Sequence, residues 1–155
     1  MKKINQSALA SLTKKELVNL VMESHGGLLR GGEDANKFFT DFSGLVKDWY
    51  KEHFIVLCLN TKNYVIHSEI VSIGHLTASL VHPREVFKNV LTKAGTAGII
   101  IGHNHPSGDP TPSENDKEIT GMIKKGGGFL GIPLLDHIIF TKVGKYYSFA
   151  ENDKL

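Results

Sequence analysis

Residues 97–102 read AGIIIG. A run this short and wholly apolar suits a strand buried on both faces, as in a sheet covered by helices on either side. The next stretch is opposite in character: HNHPSGDPTPSEND, from His103 to Asp116, is polar and rich in Pro and Gly. A buried strand therefore runs straight into two histidines one residue apart. Side chains alternate along extended backbone, so His103 and His105 point to one side and Asn104 to the other.

The rest of the chain supplies the elements such a strand needs. TKKELVNLVMES carries Leu17, Leu20 and Val21 at helical spacing, with Thr13 and Glu16 as a capping box. GGLLRGGED then reads as a glycine-rich loop, so residues 1–32 are expected to form an N-terminal helical arm and 33–155 the domain proper. Phe38, Phe42, Leu45 and Trp49 recur at spacings of four and three, one apolar helix face. HFIVLCLN and YVIHSEIVSIG are strands joined by a polar turn at Asn60–Asn63, a β-hairpin. Pro83 opens the helix PREVFKNVLTKAG, with Val86, Val90 and Leu91 inward and Gly95 just past its end. SENDKEITGMIKKGG is a helix ending in its glycines, and IPLLDHIIFTK and KYYSFAE are strands. The order α-β-β-α-β-α-β-β predicts an α/β fold with a mixed sheet flanked by helices.

Bulk properties narrow the function. A chain of 155 residues suits one compact domain. Hydrophobic residues at 41% and charged residues at 22% exclude wholesale disorder. The net charge of +2 is small and the lysine pairs are scattered, so nucleic acid is a possible partner but not an evident one. The single cysteine, Cys58, excludes a disulfide within the chain and points to a reducing compartment. Inside FIVLCLN it reads as a buried structural thiol. No stretch resembles a signal peptide or the run of about 20 apolar residues that spans a bilayer, so a cytoplasmic protein without a membrane partner is expected.

The polar loop carries the chemistry. Thr111 is expected to cap the next helix, with Pro112 in its first position and Glu114 closing a capping box. That leaves Ser113 free, three residues from Asp116 on one face of the first turn. A helix N-terminus favours an ionised carboxylate, the form that binds metal. Two imidazoles and one carboxylate leave a fourth tetrahedral position for water, the pattern of a catalytic zinc. Asp109 is a rival ligand, but SGD is turn chemistry and Asp116 is preferred. Pro106 and Gly108 shape the loop. Two candidates for a general base stand level on chemistry: Glu52, where a strand begins, and Glu85, which also compensates a helix dipole. Outside the motif, His137 is the histidine to watch; its neighbour Asp136 points to the opposite face.

Glu52, then His103-x-His105, seven residues and Ser113-x-x-Asp116 resembles the JAMM (MPN+) metalloprotease signature. HNHPSGDPTPS and LLDHII, with EHFIVLCLNTKN, HPREVFKNVL and YYSF, are similar to the RadC-like JAB domain family, over roughly residues 35 to 150. The resemblance implies a three-layer, cytidine-deaminase-like (JAB/MPN) sandwich holding one Zn²⁺. It also implies roles: His103, His105 and Asp116 as ligands, Glu52 as general base and Ser113 as oxyanion stabiliser. The bond cleaved would be a peptide or isopeptide bond in a peptide or protein substrate. Full-length RadC proteins carry an N-terminal helical domain with a helix-hairpin-helix-like part. The residues before the domain are too few for it, so a DNA role is expected to be weak. Two alternatives stand beside this reading: a metal-dependent DNA-processing protein of the RadC type, and a non-catalytic MPN-like binding module. One metal and weak basicity argue against the first, and a complete ligand set against the second. The contiguous letters HNH are not the nuclease motif of that name, whose residues are far apart in sequence.

Overall fold

The computed structural model describes residue 16 and residues 27–46, 48–74 and 81–155. The capping box at Thr13 and the first helix, apart from Glu16, lie outside these residues, as do His25 and His75. The described elements are α1 (Gly32–Val46), β1 (Glu52–Leu59), β2 (Val65–Gly74), α2 (Pro83–Val90), β3 (Gly98–Asn104), α3 (Glu114–Leu130), β4 (Leu134–Phe140) and β5 (Tyr146–Ser148). The strands form one sheet in the order β2-β1-β3-β4-β5. β3 and β4 run parallel and the other neighbours antiparallel, so the sheet is mixed.

The three-layer α/β sandwich follows from alternation along the strands. Ile55, Leu57 and Leu59 point to one side, where they meet Phe38, Phe39 and Phe42 of α1. Phe54, Val56 and Cys58 point to the other, against Val86, Phe87 and Val90 of α2 and Ile119 and Ile123 of α3. β3 is buried along its whole length, as a strand covered on both faces must be. Cys58 is fully buried, and burial pushes its thiol pKa up. No helix among the described residues is long and apolar enough to cross a membrane.

Several details differ from the sequence reading. Leu29, within the glycine-rich loop, is buried in the α1-side core, and Leu28 bridges to Tyr64. Phe38 and Phe42 are buried as expected, whereas the side chain of Leu45 lies outside the described part. Phe39, which the stripe did not include, is also buried and stacks on Phe140 at 5.5 Å. Gly102 makes this possible: a Cβ there would lie 2.6 Å from the Phe39 ring. Leu91 is not inward but 57% exposed, because α2 stops at Val90 and Leu91 is its C-cap. Gly95 accordingly sits in the later turn, at φ 85°. α3 does not end in its glycines either. It passes through Gly126–Gly128 to a left-handed C-cap at Gly131. The internal glycines permit close packing, since a Cβ on Gly126 would lie 3.2 Å from Phe87.

One irregularity bears on function. The β3–β4 register slips between Ile99 and Ile100, which pair with Leu134 and Asp136. Leu135 is the extra residue of a β-bulge. Leu134 faces the α2/α3 core. The bulge then turns Leu135 and Asp136 together to the opposite side, where both line a cavity with Leu29 and Leu59. His137 is thereby returned to the side of α3.

A candidate metal centre at the end of strand β3

His103 lies at the end of β3 and is fully buried, its ring stacked on Phe54 at 6.0 Å. His105 sits just beyond the strand, and its backbone N–H donates to the Phe140 carbonyl at 2.9 Å, which keeps the backbone extended. Alternation therefore brings both imidazoles to the α3 side. Their Nε2 atoms face each other at 3.0 Å.

Asp116 arrives from α3. Ser113 is the N-cap, not Thr111: its φ is −75° and its hydroxyl accepts from the Asp116 N–H at 3.2 Å. Thr111 is engaged elsewhere, since its N–H and hydroxyl both donate to Asp109 Oδ1, at 2.9 and 2.7 Å. The helix starts two residues later than expected, so the capping box closes on Asp116 rather than Glu114. Asp116 Oδ2 accepts from the Ser113 N–H at 2.7 Å and from its hydroxyl at 2.6 Å. This box locks the carboxylate in place. Oδ1 lies 3.1 Å from His103 Nε2, and Oδ2 lies 3.6 Å from His105 Nε2.

Three ligand atoms thus converge, all within 4.8 Å of one another. Atoms at about 2.0–2.1 Å from a tetrahedral zinc stand roughly 3.3–3.4 Å apart, close to the separations found here. The donor chemistry agrees. His105 Nδ1 lies 2.7 Å from the Asp109 carbonyl, which can only accept, so neutral His105 presents a lone pair at Nε2. An anionic carboxylate beside that lone pair attracts a cation. Burial opposes charge on His105, but its hydrogen bonds to the Asp116 carboxylate and the Asp109 carbonyl and the nearby Asp116 and Glu52 charges outweigh it, and its pKa rises. Burial likewise works against ionised Asp116, yet the His103, His105 and Ser113 contacts prevail and hold it well below the usual carboxylate range. His103, His105 and Asp116 therefore fit a metal ion.

Asp109, the rival ligand, lends its side chain to Thr111 and only its carbonyl to His105. Those Thr111 bonds hold its pKa down. Gly108 in the same loop has φ 82°, the left-handed region that glycine tolerates best.

Glu52 opens β1. In the antiparallel β1–β3 pair Phe54 lies opposite His103, so continuing the register sets Glu52 across from His105 and on the same face. Asn104, fully buried, holds this corner: its Oδ1 accepts from the His53 N–H at 2.8 Å and its Nδ2 donates to the Lys51 carbonyl at 2.9 Å. Both backbone neighbours of Glu52 are thereby tied to β3. Glu85 sits apart, in the first turn of α2, paired with Arg84 at 3.2 Å.

The profile of the RadC-like JAB domain matches residues 31–155. The chain belongs to the RadC-like JAB domain family. Its UPF0758 relatives include one from Chlorobium chlorochromatii, 47% identical over 78% of this chain and 54% of the relative. One from Listeria monocytogenes is 43% identical over 92% of this chain and 62% of its own length. A third, from Methanosarcina barkeri, is 51% identical over 68% of this chain and 45% of that protein. The chain spans about half the length of these curated relatives. RadC-like JAB domains belong to a superfamily of metal-dependent hydrolases, in keeping with the three converging donors.

His137 and Thr120 escaped the motif but belong to this site. His137 is fully buried and stacked on Phe149 at 4.9 Å, and its Nε2 lies 2.9 Å from His103 Nδ1. Burial, and then the neighbouring His103, drive its pKa far down. Thr120 lies four residues after Asp116, on the same face of α3, a spacing that could have flagged it.

Proposed function

We propose that the protein is a zinc-dependent hydrolase of the JAMM metallopeptidase type, acting on a peptide or isopeptide bond of a peptide or protein substrate. The observation that carries this reading is the convergence of His103 Nε2, His105 Nε2 and Asp116 at 3.0–3.6 Å, two imidazoles and one carboxylate, at the end of a buried strand. These three residues hold the ion. Bound there, the ion would supply Lewis acidity that brings the pKa of a water towards about 7. Glu52, facing His105 across the strand pair, takes a proton from the attacking water and delivers it to the leaving amine. Ser113, exposed at the rim, donates its hydroxyl to the carbonyl oxygen that gains charge, exchanging it from Asp116. Half-buried His105 leaves the centre reachable from this rim.

Elemental analysis of the purified protein, beside His105→Ala and Asp116→Ala, tests the ligand set. About one zinc per chain is expected in the wild type and none in either variant. A peptide and isopeptide substrate screen, run beside nicked and branched DNA, tests the reaction. Cleavage of DNA alone, dependent on Asp116, would overturn the peptidase reading. Zinc binding without turnover of any substrate would favour a binding module.

A further inference from the structure

His137 and Thr120 have no part in the proposed reaction, yet they form a continuous buried relay that ends on a proposed ligand. Counting protons gives the direction of its hydrogen bonds. The Thr120 hydroxyl donates to the Asp116 backbone carbonyl at 2.5 Å, and a carbonyl has no proton to return. That hydroxyl has one proton, so towards His137 Nδ1, 2.6 Å away, it can only accept. His137 therefore carries its proton on Nδ1. Fully buried between Phe54 and Phe149, with no carboxylate on either ring nitrogen, the ring has one N–H, and its Nε2 holds a lone pair. The contact from that lone pair to His103 Nδ1, at 2.9 Å, then requires the proton on His103 Nδ1. His103 Nε2 is left unprotonated, facing Asp116 and His105.

We propose that Thr120 and His137 are positioning residues that fix His103 in the tautomer able to ligate a metal through Nε2, and so set the metal affinity of the site. This rests on the metal reading above. It differs from the support given to His105, whose Nδ1 finds an exposed loop carbonyl at Asp109. Partners of this kind around a metal site commonly contribute about 10–100-fold in affinity. The relay also joins the strand and the helix of the site. It begins at the backbone of Asp116 in α3, crosses to β4 and returns to β3, so the carboxylate ligand and the buried imidazole ligand are held in a single frame.

The test uses the full chain, with zinc as the probe. In Thr120→Val the shape is kept but the acceptor for His137 Nδ1–H is lost. His137 can then move its proton to Nε2 and donate to His103, which places the His103 proton on Nε2. Zinc affinity, measured by competition with a chromophoric chelator, should fall about 10-fold or more in Thr120→Val and in His137→Leu. Thr120→Ser keeps the hydroxyl and should bind as the wild type does. His137→Gln, whose amide can accept from His103 and donate to Thr120, should recover most of the loss seen in His137→Leu. Nitrogen-15 spectra of histidine-labelled, metal-stripped protein give a second readout that a merely structural role would not move. They should show His103 protonated on Nδ1 in the wild type and on Nε2 in Thr120→Val. A wild-type His103 protonated on Nε2, or unchanged zinc affinity in a folded Thr120→Val, would overturn the proposal. Wild-type protein that takes up no zinc would overturn the metal reading instead, and the His103 tautomer would still decide the relay.

Discussion

At Glu52 the backbone is held through its neighbours: Asn104 grips the chain on either side of it. Glu52→Gln keeps the shape and removes the base. It should retain zinc by elemental analysis while turnover falls by about 10²–10⁴; full activity in this variant would remove Glu52 from the mechanism. His105 gives a pH dependence whose sign can be worked out. Its pKa in the metal-stripped protein lies above the usual 6.5. A proton therefore competes with metal at Nε2 below that raised pKa, and zinc affinity should weaken as pH falls through it. Calorimetry in buffers of different ionisation heat should register proton release on binding at pH 6, as zinc displaces the His105 proton. In the metal-stripped protein the same shift stabilises the fold fully below 6.5, and this contribution is lost as pH rises through the raised pKa.

Among the elements, the start of α3 serves two ends at once. Ser113 caps the helix and holds Asp116, so Ser113→Ala should cost about 1 kcal/mol of stability in urea unfolding, apart from any loss of turnover. Gly102→Ala should cost about 1–3 kcal/mol, because its methyl would press into the Phe39 ring under β3. The strands and their succession along the chain were legible because unbroken apolar runs such as FIVLCLN and GIIIG mark strands buried on both faces. Helix ends were less so. Thr111 was as good a cap as Ser113 by residue type, and only its bonds to Asp109 decided between them. Gly126–Gly128 looked like a terminator because a glycine run cannot be told from a packing face without the partner helix in view. The three converging donors were legible from spacing, since two lie on one strand end and one on the next helix turn. Their supports were less so: His137 stood out as a histidine to watch but not its partners, and Asn104 acts across the sheet, where the pairing of distant strands is set by tertiary contacts.

Over the whole molecule, the site adds polar ties to the apolar packing between the sheet and α3. His103 comes from the sheet, Asp116 from the helix above it, and the relay through Thr120 and His137 closes the circuit. Zinc should accordingly bind the folded chain and not the unfolded one. At 100 times the dissociation constant it should add about 2.7 kcal/mol, seen as a rise in Tm that a chelator reverses. No rise with zinc bound would mean that the unfolded chain holds the ion equally well. The bulge at Leu135 carries a further consequence. Leu134 and His137, three residues apart, share the side of α3 only because one leucine between them is supernumerary. Removing that one residue would seat Leu134 and Asp136 in plain alternation opposite Ile99 and Ile100, and His137 would stay on the side of α3. A single-residue gap at this point would therefore leave the address of every other side chain unchanged, whereas a gap elsewhere in the strand would shift its register against β3.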